Sequence, residues 1–515
     1  MVSRPASRRW LALVGLVAVA GVALRTWVYR SALGIPDSDE GVVGLMARHV
    51  LDGELSVFFW GQAFGGSHEA LVTAPLFAVA GSSWLTLRLV PIVVSGVAAL
   101  VVWRVGRRTI GEPAAVVAGC AMWVFPPFLV YKLIHQQGFY AGGVLSAGLL
   151  LLLGLRAAER ASPSRVGVLG LVGGLALWQS AQLVPVVAGV AVWLTWREPR
   201  WLRLLPVAAL AGVLGALPSI LWNLQNGWES LDSPIESTTS YAHRLRLFAS
   251  PLLPMLLGLR TPFSQEPLGA SALVLLVGAI LVGAFAYGAY RSRREPASLL
   301  YVVVAVFPFV YAAAPQTLFV EEPRYLLVLA PVVVLLLAQL ATTYARGVAL
   351  LVVLVMLSVV TLDRMDARVS SVPLQPPRAP RALAPLFSTL DRLGLDRVYA
   401  DFWVAYALTF ETDERIVAAQ SKLERVGPVD GRLLASRHPT IRHRAFERAV
   451  ERSPRPGFVF FRVSLEQGAD RTPGPDASVR VKQLAALTSE LEQNGYRRTD
   501  IDPFVVYAPP RKGDA

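Results

Sequence analysis

Pro36-Asp37-Ser38-Asp39-Glu40 sets three carboxylates within four residues, and Phe58-Phe59-Trp60-Gly61 follows shortly after. Residues 10–27 before it are almost wholly apolar, with Arg4, Arg8 and Arg9 ahead of them. An acidic knot beside a segment fit to cross a bilayer is costly to keep unless it serves a purpose. The stretch therefore reads as a candidate reaction site on the rim of a membrane protein. The remaining sequence is read outward from it.

The composition agrees. Of 515 residues, 54% are hydrophobic and 17% charged, with a mean hydropathy of +0.49. Soluble chains carry roughly 25% charged residues. The net charge of +13 does not point to nucleic acid, because the basic residues fall in short clusters between apolar runs, as in membrane proteins. Cys120 is the single cysteine, so no disulfide forms within the chain, and zinc-type Cys/His spacing is absent.

Further apolar runs cover residues 84–103, 114–134, 139–155, 166–178, 183–196, 204–222, 270–290, 299–314, 325–340 and 348–362. A crossing helix needs about 20 residues, so these predict about eleven spans, the short pair at 166–196 being the weak point. Small residues near 18–23 also fit a cleaved signal peptide, but so hydrophobic a chain favours a retained span. The clusters Arg104/Arg107/Arg108, Arg156/Arg160/Arg165, Arg197/Arg200/Arg203 and Arg291/Arg293/Arg294 share one side only if that pair crosses twice. Positive loops stay inside. The acidic loop at 30–68, the segment 223–268, residues 316–324 and the C-terminus are then expected outside.

Past residue 364 the composition changes. Pro373, Pro376, Pro377, Pro380 and Pro385 predict a stiff linker over 365–385. Strand-like stretches at 397–400, 415–419, 457–463 and 504–507 alternate with helical ones at 383–393, 443–452 and 479–493. This predicts a soluble α/β domain over 386–515. The expected fold class is a polytopic α-helical membrane protein, residues 1–364, with a C-terminal α/β domain.

Asp37, Asp39 and Glu40 are the catalytic candidates. Asp37 with Glu40 three residues on also makes a capping box. The helix it opens would place Val42, Leu45, Met46 and Val50 on one face, suited to the membrane interface. Capping accounts for one or two of the acids, not for all three.

An Asp-Glu pair in an outward loop after the first span, ahead of an amphipathic helix, resembles the GT-C-type glycosyltransferases. These include the protein O-mannosyltransferases and the lipid A aminoarabinose transferases. Ala74-Pro75-Leu76-Phe77 with Leu87-Arg88-Leu89, Leu217-Pro218-Ser219-Ile220-Leu221-Trp222-Asn223 and Pro323-Arg324-Tyr325-Leu326-Leu327 continue the likeness in order. The resemblance implies inverting transfer of a sugar from a polyprenyl-phosphate donor to an acceptor hydroxyl. It matches Asp39 to the family's catalytic aspartate, a general base. The leaving phosphate needs cations, and Arg324 with Tyr325 is the first candidate, since a guanidinium forks onto phosphate oxygens. Arg88 is another. An interface anchor is the plainer reading of each.

Some relatives carry an acid in the second outer loop. Here that loop reads Lys132-Leu133-Ile134-His135-Gln136-Gln137, so Lys132 and His135 become candidates for phosphate or sugar. A two-carboxylate metal site is thereby in doubt. No cofactor is certain, and a divalent cation in the first loop stays open. His68 and Glu69 end the first loop and complete the substrate-binding set. Asp401-Phe402-Trp403-Val404-Ala405-Tyr406 is aromatic-rich, a sugar platform or a helix core. Residues 245–259 are apolar enough to lie on the membrane.

The expected partners are the lipid donor, an acceptor of unspecified class and membrane lipid, in a bacterial plasma membrane with the C-terminal domain extracytoplasmic. The rival class is a transporter or flippase of lipid-linked sugars. Transporters carry charge near mid-membrane on broken helices. Here the runs are nearly free of it.

Overall fold

A computed structural model describes residues 8–232, 239–314, 320–371, 380–420, 441–466 and 475–510. The chain forms two compact units: Met1–Leu33, Phe64–Glu69 and Arg88–Ser371 in the first, and Gly34–Ala63, Ala70–Leu87 and Val372–Ala515 in the second. Linker residues Pro373, Pro376 and Pro377 lie outside the described residues.

The first unit is helical. Arg8–Arg30, Trp84–Thr109, Tyr140–Glu159 and Tyr344–Ser371 are long and apolar enough to cross a membrane. Pro199–Gly215 with Leu217–Gln225, bent by 67°, makes a fifth if counted as one span. The eleven spans expected from the sequence are not reached by length among the described residues, because proline and tight turns cut several runs. Residues 114–134 break where Phe125 turns extended (φ −151°, ψ 152°) ahead of Pro126, as a residue before proline prefers. The run 325–340 opens as a 3₁₀ turn, Arg324–Leu329, before the helix Ala330–Leu340. The pair at 166–196 is two helices, Pro163–Gln179 and Val184–Arg197, parted by an extended Ser180.

Small residues bring these helices close. A Cβ on Gly170 would sit 2.2 Å from the Ala208 carbonyl oxygen, and one on Gly174 2.0 Å from that of Gly212. A Cβ on Gly21 would meet the Trp123 ring at 2.1 Å. That ring donates to the Ala18 carbonyl at 3.1 Å and carries the Arg25 guanidinium 3.7 Å from its centroid. Without a hydrophobic drive between helices in lipid, such close backbone approach is a main source of packing. The segment 245–259 departs from expectation. Phe248, Leu252 and Leu256 are buried in this unit's core, because their side chains find protein partners.

The second unit is built on a five-stranded sheet of order β2-β1-β3-β5-β4. Its strands are β1 Arg397–Ala400, β2 Val417–Gln420, β3 Gly457–Phe461, β4 Arg497–Ile501 and β5 Phe504–Ala508. β1 runs parallel to β2 and β3, and β5 antiparallel to β3 and β4. Four strands and three helices fall where the sequence places them. β4 is the addition, a polar edge strand with no alternating apolar signal.

The Ser38–Leu51 helix belongs to this unit. Val42, Leu45 and Met46 are buried in one core with Val404, Leu408 and Phe410 of the helix Phe402–Glu411. Its apolar face therefore does not lie in the membrane interface. Two glycines allow the contact: a Cβ on Gly41 would meet the Tyr406 carbonyl oxygen at 2.6 Å, and one on Gly44 the Phe410 ring at 2.4 Å. The aromatic stretch 401–406 is the core of that second helix, with Phe402, Val404, Ala405 and Tyr406 buried.

Candidate active site

The three acids of the opening stretch occupy three environments in the second unit. Asp37 is the N-cap of the Ser38–Leu51 helix, in extended backbone, and its Oδ1 accepts from the Glu40 backbone N–H at 3.1 Å. Capping of this kind satisfies one of the donors that a helix start leaves open. Ser38 Oγ donates to the Phe402 carbonyl oxygen, fastening the same turn to the neighbouring helix. Glu40 is fully buried. Asp39 alone points partly outward, its side chain 31% exposed.

Asp39 meets a partner from the far end of the sequence. Arg442 Nη2 donates to Asp39 Oδ1 at 3.0 Å, and its Nη1 to Gln62 Oε1 at 2.9 Å. The guanidinium is sandwiched near two rings, 5.0 Å from the Phe59 centroid and 5.3 Å from that of Phe402. Its backbone N–H donates to the Tyr406 hydroxyl at 2.7 Å. Arg442 is thus held from several directions and fixes one oxygen of the Asp39 carboxylate. The sequence offered no signal for Arg442 or Gln62, since nothing local marks either residue.

The remaining candidates lie in the first unit. Arg88 is buried and stands 5.3 Å from the centroid of the Tyr29 ring. Its Nη2 lies 3.2 Å from His135 Nδ1, and His135 Nε2 lies 2.9 Å from the Leu33 carbonyl oxygen. The carbonyl accepts only, so the ring proton sits on Nε2 and Nδ1 accepts from Arg88. Lys132 places its Nζ 4.6 Å from the centroid of Tyr140. Tyr140 in turn hydrogen-bonds Arg324. Arg324 pairs through Nε with Glu322, a buried acid, and stands 5.8 Å from the Tyr325 ring centroid. Lys132, Tyr140, Arg324 and Glu322 therefore form one chain of contacts. Tyr140 and Glu322 were not among the expected residues.

His68 and Glu69 contact other residues of the same unit. His68 packs on Trp178, ring centroids 4.1 Å apart, with both ring nitrogens buried and unpartnered among the described residues. Glu69 Oε1 accepts from the Gly142 N–H at 2.9 Å, in the first turn of the helix Tyr140–Glu159. A carboxylate there satisfies an orphan donor and meets the positive end of the helix dipole. The acids of residues 37–40 do not converge as a metal-ligand set. Among the described residues the group close enough to hold an ion is His49, Glu54 and His443.

Comparison with known proteins gives the fold. Residues 70–223 match the family described as dolichyl-phosphate-mannose-protein mannosyltransferase. The fold is that of the GT-C-type membrane glycosyltransferases, as the opening stretch suggests.

Two solved proteins make that likeness particular. ArnT from Cupriavidus metallidurans bound to undecaprenyl phosphate superposes with a TM-score of 0.60 at 14% identity, over 98% of this chain and 99% of that one. Its apo state gives 0.59 at 14%, over 97% of each chain. The archaeal oligosaccharyltransferase AglB from Archaeoglobus fulgidus, in complex with an inhibitory peptide and a dolichol-phosphate, gives 0.50 at 14%, over 99% of this chain and 75% of that one. No curated protein matches by sequence. At such identity the superpositions carry the fold.

Proposed function

We propose that the protein is an inverting glycosyltransferase that moves a sugar from a polyprenyl-phosphate donor to an acceptor hydroxyl on the outer side of the membrane. The observation that carries this reading is the separation of the acids. Asp37 caps a helix, Glu40 is buried, and Asp39 is left partly exposed with one oxygen held by Arg442. A carboxylate so oriented suits a general base.

In the proposed step the second oxygen of Asp39 takes the acceptor hydroxyl proton. The hydroxyl oxygen attacks the anomeric carbon from the face opposite the phosphate. The carbon–oxygen bond to phosphate breaks, the configuration inverts, and polyprenyl phosphate leaves with the bonding pair. One carboxylate suffices because the phosphate needs no proton to leave, unlike the two-acid arrangement of glycoside hydrolysis.

Arg324, with Tyr325 beside it, is the proposed contact for the leaving phosphate, with Lys132, His135 and Arg88 as further substrate contacts. Glu322 already pairs with Arg324, so a phosphate would share or displace that carboxylate. His68, Glu69 and Glu40 are proposed to shape the site. The basic clusters support an inner N-terminus and an extracytoplasmic C-terminal domain, and the proposed setting is a bacterial plasma membrane.

The transporter reading gains one feature, the 67° bend between Pro199–Gly215 and Leu217–Gln225. Residues 205–225 around that bend carry no charged side chain, whereas transporters place ionisable residues near mid-membrane on their substrate and ion pathways. The test is to give the purified protein a panel of polyprenyl-phosphate sugars labelled in the sugar. Transfer of label to an acceptor supports the reading. Passage of intact labelled lipid across a vesicle bilayer with no bond cleavage rejects it.

A further inference from the structure

The helix that opens with Asp37 and Asp39 ends on a second polar cluster. His49 stands in its last turn. His49 Nδ1 lies 2.7 Å from Glu54 Oε2, and its Nε2 3.2 Å from Glu414 Oε2. The His443 ring stands edge-on to His49, centroids 5.3 Å apart, and is stacked by Trp60 at 4.0 Å. One donor atom from each of His49, Glu54 and His443 lies within 4.8 Å of the other two. Phe446 closes the apolar side, 4.5 Å from His443 by ring centroids. His443 directly follows Arg442, the partner of Asp39.

We propose that His49, Glu54 and His443 form a binding site for a divalent cation of the zinc class. It ties the end of the Ser38–Leu51 helix to the segment that carries Arg442.

Three features favour a cation here. First, two imidazoles and a carboxylate are a borderline donor set that zinc takes readily, with a water completing the tetrahedron. Second, His443 Nδ1 is buried and has no hydrogen-bond partner among the described residues. A buried nitrogen left without a partner is costly, and a metal ion would supply one. Third, the Nε2 side of His49 already faces Glu414, the carboxylate–histidine arrangement that orients a ligating ring and raises its basicity.

Glu54 is the mobile member, its side chain 66% exposed, and is free to adjust to the ion. The ion would replace the proton between His49 Nδ1 and Glu54 Oε2. Without a metal, the same contacts make His49 an imidazolium clasped by two carboxylates, the ring raised to about 9 chiefly by its bond to Glu414. These two occupants, a proton or a metal, are what the experiment separates. The sequence hides the site because His443 lies almost a whole chain away from His49 and Glu54.

The test uses the full chain in detergent, stripped with EDTA and titrated with zinc chloride at pH 7, with bound metal counted by elemental analysis. One equivalent is expected to bind. His443→Ala and His49→Ala should weaken binding by on the order of 100-fold or more, beyond the roughly 10–100-fold that loss of an outer partner costs and that Glu414→Gln should show. His243→Ala, at a histidine outside the cluster, should bind as the unaltered protein does. X-ray absorption at the zinc edge should show two imidazoles, a readout that does not depend on any variant folding or on sugar transfer. Failure of the stripped protein to bind zinc overturns the proposal. So does zinc bound with no imidazole, or bound equally well by a folded His443→Ala protein.

Discussion

Replacing Gly41 with alanine perturbs the packing behind Asp39 without removing any polar group. The new Cβ would stand 2.6 Å from the Tyr406 carbonyl oxygen, 2.7 Å from its carbon and 2.9 Å from the Ala407 nitrogen. All three are backbone atoms at the centre of the Phe402–Glu411 helix, so no side chain can swing away. A tolerable carbon–oxygen contact begins near 3.3 Å, so the helices must part by about 0.7 Å. Overpacking of this kind costs roughly 1–3 kcal/mol. Alanine returns about 1 kcal/mol through helix propensity, leaving a net loss of about 0–2 kcal/mol.

The effect on rate should be larger than the effect on stability. Asp39 lies two residues before Gly41, and the Ser38 hydroxyl bond to Phe402 crosses the same seam. Misplacing a catalytic group by about 1 Å can cost on the order of 100-fold, so Gly41→Ala should lose about 10–100-fold in transfer. Gly173→Ala is the control, because nothing lies within 4 Å of its added Cβ. The assay pairs initial transfer rates in proteoliposomes with thermal unfolding in detergent. Full activity in a Gly41→Ala protein would refute both the packing argument and the placement of the base.

Three further outcomes are expected. Arg324→Lys keeps the charge but loses the forked geometry, so transfer kinetics should suffer more than in Arg293→Lys; equal kinetics would reduce Arg324 to an anchor. Alkaline phosphatase fused after residue 370 should be active, and a fluorescent protein exported by the general pathway should be dark there. The opposite pair of results would invert the proposed topology. Burial raises the pKa of Glu411, against the bond it accepts from Trp84 Nε1 at 3.4 Å. A carboxyl whose folded pKa is raised loses stability as pH climbs from its unfolded value through the folded one. Glu411→Gln should therefore stabilise slightly at pH 7 and not at pH 4, the gain kept small by solvent screening of a partly exposed group. Equal gains at both pH values would discard the desolvation argument.

How far the fold could be read from residues differs by element. The apolar runs announced most helices because nothing interrupts their hydrophobicity, and Asp37 with Glu40 announced the helix start through local spacing. The breaks inside runs depend on how each proline is accommodated, as at Phe125–Pro126. The apolar face at Val42, Leu45 and Met46 was legible as a face, but its partner was not. A lipid surface and the Phe402–Glu411 helix satisfy the same pattern. β4 was illegible because Arg497 to Ile501 alternates no apolar residues on an edge. At the candidate site, acids and arginines were visible by type and position. Arg442, Gln62, Tyr140 and Glu322 were not, because only the folded chain brings them to Asp39 or to Arg324.

The central claim is that Asp39 removes the acceptor proton, and Asp39→Asn tests it most directly. Asparagine keeps the size and can still accept the Arg442 bond, and the change leaves the helix cap at Asp37 in place. It cannot take a proton. The measurement is the single-turnover rate of sugar transfer from labelled polyprenyl-phosphate donor, with donor binding and thermal unfolding followed on the same preparations. Asp39→Asn is predicted to fold and bind donor as the unaltered protein does while losing about 10²–10⁴-fold in rate, with Asp37→Asn milder and Glu40→Gln between them. A well-folded Asp39→Asn protein that transfers sugar at a near-normal rate would contradict the assignment and move the base to Asp37, Glu40 or Glu69.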